Sequence, residues 1–249
     1  YLIVTTQDAA RTRQVAWEAA RVFMERYRQQ NQLFMEMVDL ISDILTLPNE
    51  ELAGTVTGPI FGGIIEPLSD TYDPMDRQVS EIVLARLITR IRTLPNEHPL
   101  YKQVFAFNAE LVALGLSDEA ALLERANAVR QPKIFDASAI GSVRKVFLFS
   151  RVTIGADIVL TSQAIEKMLR CFPKAEIFLI GPSFLKELFK GASFIKIREL
   201  RFDRRGGVIG RFFTWLKVLN IIRNEIKNLG PDEDFLFVDL NSRFLQTGM

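Results

Sequence analysis

The sequence predicts an α/β chain in two parts: an all-helical region over residues 1–140, then an incomplete Rossmann-like parallel sheet over residues 141–249. Three observations predict it. Apolar residues recur at helical spacing as far as about residue 131, short apolar runs alternate with helical segments from Ser142 onward, and the charge changes sign at the same place. Residues 1–140 hold 13 basic and 19 acidic side chains, whereas residues 141–249 hold 18 and 11. The two parts therefore differ in surface chemistry as well as in pattern.

In the first part, Trp17, Ala20, Met24, Tyr27, Phe34, Val38, Ile41 and Leu45 alternate three and four apart, with Asn31 filling one step. That spacing predicts a helix over 7–47 ended by Pro48. It reads either as a coiled-coil homodimer whose register Asn31 sets, or as one long helix lying across a helical domain. Gly58-Pro59 and Gly62-Gly63 make 54–67 read as a loop. Asp73 is placed to cap a second helix, with Pro74 at its first position and Asp76 in its first turn. A third helix runs from Pro99 to Leu114 and stops at Gly115; a fourth starts from a Ser117 cap and ends before Pro132. Residues 40–50 echo residues 87–97 at an offset of 47 positions, a spacing near that of helical repeats. Two copies are fewer than a stable solenoid needs, so the echo carries no functional expectation.

In the second part, strands are expected at 143–150, 176–180, 194–200 and 234–239, with helices at 157–171, 183–190 and 210–229 between them. A β-α-β-α-β-α-β order with short connections predicts parallel strands and right-handed crossovers, and places ligands at the strands' C-terminal ends. The helix containing Phe212, Phe213, Trp215 and Leu216 reads as a crossover helix burying a bulky face, with contact to anionic lipid as the other reading.

Composition narrows the chemistry. The chain has 249 residues, 48% hydrophobic and 24% charged, enough for one large or two medium domains. A formal charge of +1 leaves no electrostatic footprint of a nucleic-acid binder. One cysteine, Cys171, and one histidine, His98, exclude an intrachain disulfide and a His-rich metal site, and favour a reducing cytoplasm. Cys171 is expected as a packed thiol and His98 as a loop residue. No apolar run approaches the roughly 18 residues of a membrane span. A chain that lacks an initiator Met and ends at Met249 just after a strand-like run reads as a fragment, inactive alone.

The residues suited to chemistry follow the first strand. In the stretch from Ser150 to Thr161, Gly155 would permit close backbone approach, the helix N-terminus offers amides to an anion, and Asp157 could take a proton from a substrate hydroxyl. The alternative for Asp157 is a carboxylate that merely favours the helix N-terminus. Arg151, Arg204, Arg205, Asp239 and Arg243 are further rim positions, the arginines suited to an anionic ligand or, equally, to local ion pairs. A complete G-x-G-x-x-G is absent, so a dinucleotide has no motif support.

Arg151 to Thr161, then Gln163-Ala164-Ile165, then Phe172-Pro173-Lys174-Ala175-Glu176-Ile177, and later Phe237-Val238-Asp239-Leu240, resemble the N-terminal half of family-9 glycosyltransferases, the ADP-heptose:lipopolysaccharide heptosyltransferase-like enzymes. The resemblance covers residues 143–249; Thr153-Ile154 stands where the family has Ser-Ser, and Ala156 where it has Gly. It implies the N-terminal half of a GT-B fold, whose C-terminal donor-binding half is not in this chain. It also implies inverting transfer from a nucleotide-diphosphate sugar to an anionic glycan or glycolipid acceptor, without a metal and with Asp157 as general base. Arg151, Thr153, Gly155, Thr161, Arg204, Arg205, Asp239 and Arg243 are the expected acceptor contacts. No cofactor is expected beyond the donor substrate, and the expected location is the cytoplasm, including the inner face of the membrane. The other reading from a different class is a noncatalytic α/β binding module with a helical assembly arm.

Overall fold

A computed structural model describes residues 9–131, 140–150, 154–201 and 207–238. They fall into two compact units, one drawn from Tyr1–Arg130 and Arg204–Phe213, the other from Gln131–Asp203 and Thr214–Leu245.

The first unit is helical, with α1 (Ala9–Gln30), α2 (Met35–Leu45), α3 (Glu50–Gly54), a π-helical segment (Gly58–Ile65), α4 (Glu66–Ser69), α5 (Pro74–Ile91), α6 (Tyr101–Ala113) and α7 (Glu119–Arg130). The continuous helix expected over 7–47 is broken. Asn31 adopts φ 52°, its N–H donates to the Tyr27 carbonyl at 2.9 Å, and the chain leaves α1 there. Asparagine tolerates this left-handed conformation better than other residues with a Cβ. Each helix then buries its own stripe: Ala16, Ala19, Ala20, Phe23 and Tyr27 from α1, and Val38, Ile41, Ile44 and Leu45 from α2. Most of the heptad seam is therefore core of this unit.

Apart from a turn at 55–56, residues 54–67 are helical rather than a loop. Their glycines serve packing: a Cβ on Gly63 would lie 3.0 Å from the Ala20 Cβ and 3.1 Å from the Trp17 ring, and one on Gly58 would lie 3.3 Å from that ring. Trp17 thus seats against a segment that glycine keeps thin. Pro59 stands at the second position of the π-helical segment, in its first turn, where a missing N–H costs little.

Asp73 caps α5 as expected, accepting from the N–H groups of Met75 at 2.8 Å and Asp76 at 3.2 Å. Gly115, with φ 77°, ends α6. For α7 the capping side chain is Asp118 instead of Ser117: its carboxylate accepts from the Ala121 N–H at 2.9 Å, and that backbone hydrogen bond holds its pKa below the usual carboxylate range. A carboxylate gains more there than a hydroxyl because the helix end carries partial positive charge.

The 47-residue echo has a physical counterpart. Arg86 of α5 makes a two-point pair with Asp39 of α2, at 2.8 and 2.9 Å, and Arg90 pairs with Asp43 one turn on. Both pairs join residues 47 apart, so the equivalent stretches of α2 and α5 lie side by side, parallel and in register. His98 lies in the loop between α5 and α6, as expected, with its side chain buried. Its Nδ1 accepts from the Leu100 N–H at 3.1 Å, and Nε2 lies 3.4 Å from the Leu47 carbonyl just before Pro48. Phe107 of α6 packs against Phe212 and Phe213 at centroid distances of 6.0 and 6.3 Å.

The second unit holds β1 (Val143–Phe149), β2 (Glu176–Gly181), β3 (Ile195–Glu199) and β4 (Asp234–Val238), all parallel, in the order β3-β2-β1-β4. β1 leads through α8 (Ile154–Ala156), a π-helical turn (Asp157–Thr161) and α9 (Ser162–Cys171) to β2; α10 (Leu185–Leu188) precedes β3, and α11 (Val208–Ile226) precedes β4. Val146, Leu148, Ile177 and Leu179 face α9 and α10 through Ile165, Phe172 and Leu185, and the half-buried Cys171 packs beside them. Phe147, Phe149, Phe178 and Ile180 face α11 through Val218, Ile221, Ile222 and Ile226. From Val218 onward α11 therefore packs on the sheet, whereas Phe212 and Phe213, which belong to the first unit, pack against Phe107. The strand order requires this sheet packing: β1 to β3 step one way across the sheet and β4 returns past β1, so right-handed crossovers place α11 on the opposite face.

In the first unit, Asp76 is buried and accepts from the Tyr27 hydroxyl at 2.6 Å, with Arg28 at 3.3 Å. Burial pushes its pKa up, but the Tyr27 and Thr71 hydrogen bonds and Arg28 outweigh that, and the net shift is downward. Burial and the same carboxylate push the Tyr27 hydroxyl up to about 12. A depressed carboxylate stabilises the fold above its unfolded pKa of about 3.9, and that contribution fades as pH falls through the folded value. Asp76→Asn is therefore expected to cost about 1–3 kcal/mol at pH 7 and progressively less below pH 4, read from denaturant melts across that range.

Candidate functional site

The site grows from the C-terminal end of β1. Val146 to Phe149 are buried on both faces, so the strand cannot bend until its apolar run ends at Ser150. There the Ser150 N–H donates to the Ile180 carbonyl at 2.9 Å, holding the end of β1 against β2. Gly181 closes the same corner: a Cβ on it would lie 2.5 Å from the Ser150 Cβ and 2.7 Å from Leu185 Cδ1. The Gly181 carbonyl accepts from the Leu200 N–H at 2.7 Å, which ties in β3. Glycine is thus required at 181 by the close approach of Ser150.

Asp157 lies in the first turns after β1, fully buried. Its Oδ2 accepts from Ser150 Oγ at 2.7 Å and its Oδ1 from Thr161 Oγ1 at 2.8 Å, and both donors are buried as well. The neighbours of this polar triad in the same turns are turned out: Ile154, Ile158, Val159 and Leu160 are 49–57% exposed. The π-helical turn over Asp157–Thr161 makes this possible, since its extra residue changes which side chains face inward.

The topology puts this triad at a particular place. Between β1 and β4 the strand order reverses direction, and in open α/β sheets the crevice beyond the strand ends at such a switch point is where ligands bind. The chain matches no protein-family model, no curated protein and no solved structure.

Two of the residues singled out in the sequence, Asp157 and Thr161, come together. The Thr161 hydroxyl is directed at Asp157, so its side chain is a partner of the carboxylate and not a free acceptor contact. Asp157 faces inward instead of lining an open rim. A Cβ on Gly155 would meet nothing within 4 Å, so no close backbone approach requires glycine there. Arg151, Thr153, Arg204, Arg205, Asp239 and Arg243 lie outside the described residues. Arg198, within β3, pairs with Glu225 at 2.5 Å, and Arg201, just beyond the strand, is exposed.

Ser150 and Gly181 are site residues that spacing did not single out. Their signal was indirect: Ser150 is the polar residue that ends the most apolar strand, and Gly181 ends the strand beside it. Among the described residues no three His, Cys, Asp or Glu side chains converge, and no helix is long and apolar enough to cross a membrane.

Removing one hydroxyl donor from a buried carboxylate leaves part of its desolvation uncompensated. Ser150→Ala and Thr161→Val are each expected to cost about 1–3 kcal/mol in chemical denaturation. Because both act on one carboxylate, the double variant is expected to deviate from additivity by at least about 0.5 kcal/mol.

Proposed function

We propose that this chain is the acceptor-side half of a family-9-like glycosyltransferase of GT-B architecture. In this reading the natural protein carrying it moves a sugar from a nucleotide-diphosphate sugar to an anionic glycolipid or lipopolysaccharide-type acceptor. The observation that supports the reading most is the position of Asp157, a carboxylate in the first turns after β1 of a parallel sheet whose order reverses at that strand. The motif likeness over 143–249 concerns the same turn.

In the proposed reaction Asp157 removes the proton from the acceptor hydroxyl as its oxygen attacks the anomeric carbon. The bond to the nucleoside diphosphate breaks on the opposite face, and configuration inverts. The leaving diphosphate takes the bonding electrons and is stabilised by basic side chains and helix N-termini. The buried carboxylate has to reach the acceptor, so this reading requires the turn over Asp157–Thr161 to open or an acceptor hydroxyl to take the place of Ser150 or Thr161. Work at the cytoplasm or the inner membrane face belongs to the same reading.

One observation favours a second reading, a noncatalytic binding module. The Asp157 carboxylate is fully buried and held by two hydroxyls, which is how a structural carboxylate is kept.

Sugar transfer by the full natural protein, with nucleotide-activated heptoses and hexoses as donors and lipid-core acceptors, separates the two. Asp157→Asn keeps the shape, with one hydroxyl still donating to the amide oxygen and the other turning to accept from the amide N–H, so folding should persist. The enzyme reading expects kcat to fall about 100-fold or more with acceptor binding retained. Unchanged turnover removes Asp157 as the base, and absence of transfer from any donor favours the binding module.

A further inference from the structure

The flank of α1 beside its buried stripe carries a groove of about 600 Å³, lined along one helix face and floored by Ala20 and Gly63. Gly63 keeps the floor low, because a Cβ there would press on Ala20 and on the Trp17 ring. Along the groove Gln14, Trp17, Arg21, Met24 and Arg28 repeat three and four residues apart, the spacing by which one helix packs along another. Trp17 is 39% exposed despite its seat on the glycines. The charged groups are half exposed: Arg21 at 55%, with Glu18 at 57% and Glu25 at 49%, both within 2.5 Å of it.

The charge pattern identifies the occupant. An antiparallel copy of α1, related by a twofold axis level with Phe23, sets Glu18 opposite the partner's Arg28 and Arg21 opposite the partner's Glu25. The symmetry repeats both pairs, so each of the four charges meets its opposite. A parallel copy in register would instead set every charge against itself.

We infer that α1 is the isologous interface of a homodimer, in which the groove along Trp17, Arg21 and Met24 receives the same helix of a second copy in antiparallel orientation. This interface differs from a seam over 7–47, most of which is core. It is also independent of the glycosyltransferase reading, since it lies on the helical unit. A 22-residue helix is about 33 Å long, so the buried area falls at the low end of specific interfaces and the dimer is expected to be micromolar and concentration-dependent.

Sedimentation of the whole chain over about 1–100 μM tests this. The native chain is expected to pass from monomer to dimer, less readily as salt is raised. Arg21→Glu sets like charges against the partner's Glu25 twice and should weaken the dimer at least about tenfold. Arg21→Glu with Glu25→Arg restores opposite signs across the axis and should recover affinity to within about threefold. Glu25→Arg alone makes the same test from the other side. Far-ultraviolet circular dichroism checks that each variant keeps its helices. A chain that stays monomeric throughout, or a dimer indifferent to the reversal, or one that the exchanged pair fails to restore, overturns the inference.

Discussion

β1 is apolar on both faces, and the second unit is arranged around that constraint. A strand with Val146 and Leu148 on one side and Phe147 and Phe149 on the other has to be covered by two layers of helix. A chain that leaves β1 in one direction cannot supply both layers through crossovers of one hand. It steps outward through β2 and β3, with α9 and α10 on one face, then returns with α11 on the other to place β4 on the open side of β1. The reversal beside β1 is therefore a consequence of covering it twice. The switch point that follows puts the end of β1, and with it Ser150 and Asp157, beside the crevice that such a topology favours for a ligand.

Much of this was legible because the physics is local. The runs at Val146–Phe149, Ile177–Ile180 and Phe235–Val238 are short, apolar and bounded by polar or turn residues, and the intervening segments keep helical spacing. Parallel pairing followed from connection length. The strand limits agree to within a residue or two, and for β1 and β2 burial on both faces leaves few ways to slide the register.

The misreadings have equally physical causes. Asn31 breaks a helix without breaking the three-four spacing, because α1 and α2 bury separate stripes that happen to stay in phase across the turn. Periodicity reports which residues are buried, and it is blind to a reversal that conserves phase. Glycine at 58, 62 and 63 suggested a loop, since glycine weakens isolated helices by about 1 kcal/mol each. That cost is offset by a contact far away in sequence, the seating of Trp17, which no window around residue 60 contains. The burial of the His98 side chain within its loop was hidden in the same way, because one of its partners is the backbone carbonyl of Leu47, 51 residues earlier.

The depth of Asp157 was also invisible to sequence, and its surroundings invert the ordinary arrangement of a helix start. Asp157 and Thr161 are wholly buried while Ile158, Val159 and Leu160 between them are about half exposed. Burying a large aliphatic side chain is worth about 1.5–3 kcal/mol, so three consecutive aliphatics facing solvent forgo a substantial stabilisation. A turn of ordinary α-helix in place of the π-helical one would shift the phase by about one residue, near 100°, and so change which of these side chains face inward. Folding alone gives no reason to prefer the arrangement that exposes the aliphatics. The conflict between phase and burial falls in the turn that carries Asp157. That turn lies at the end of β1, beside the switch point.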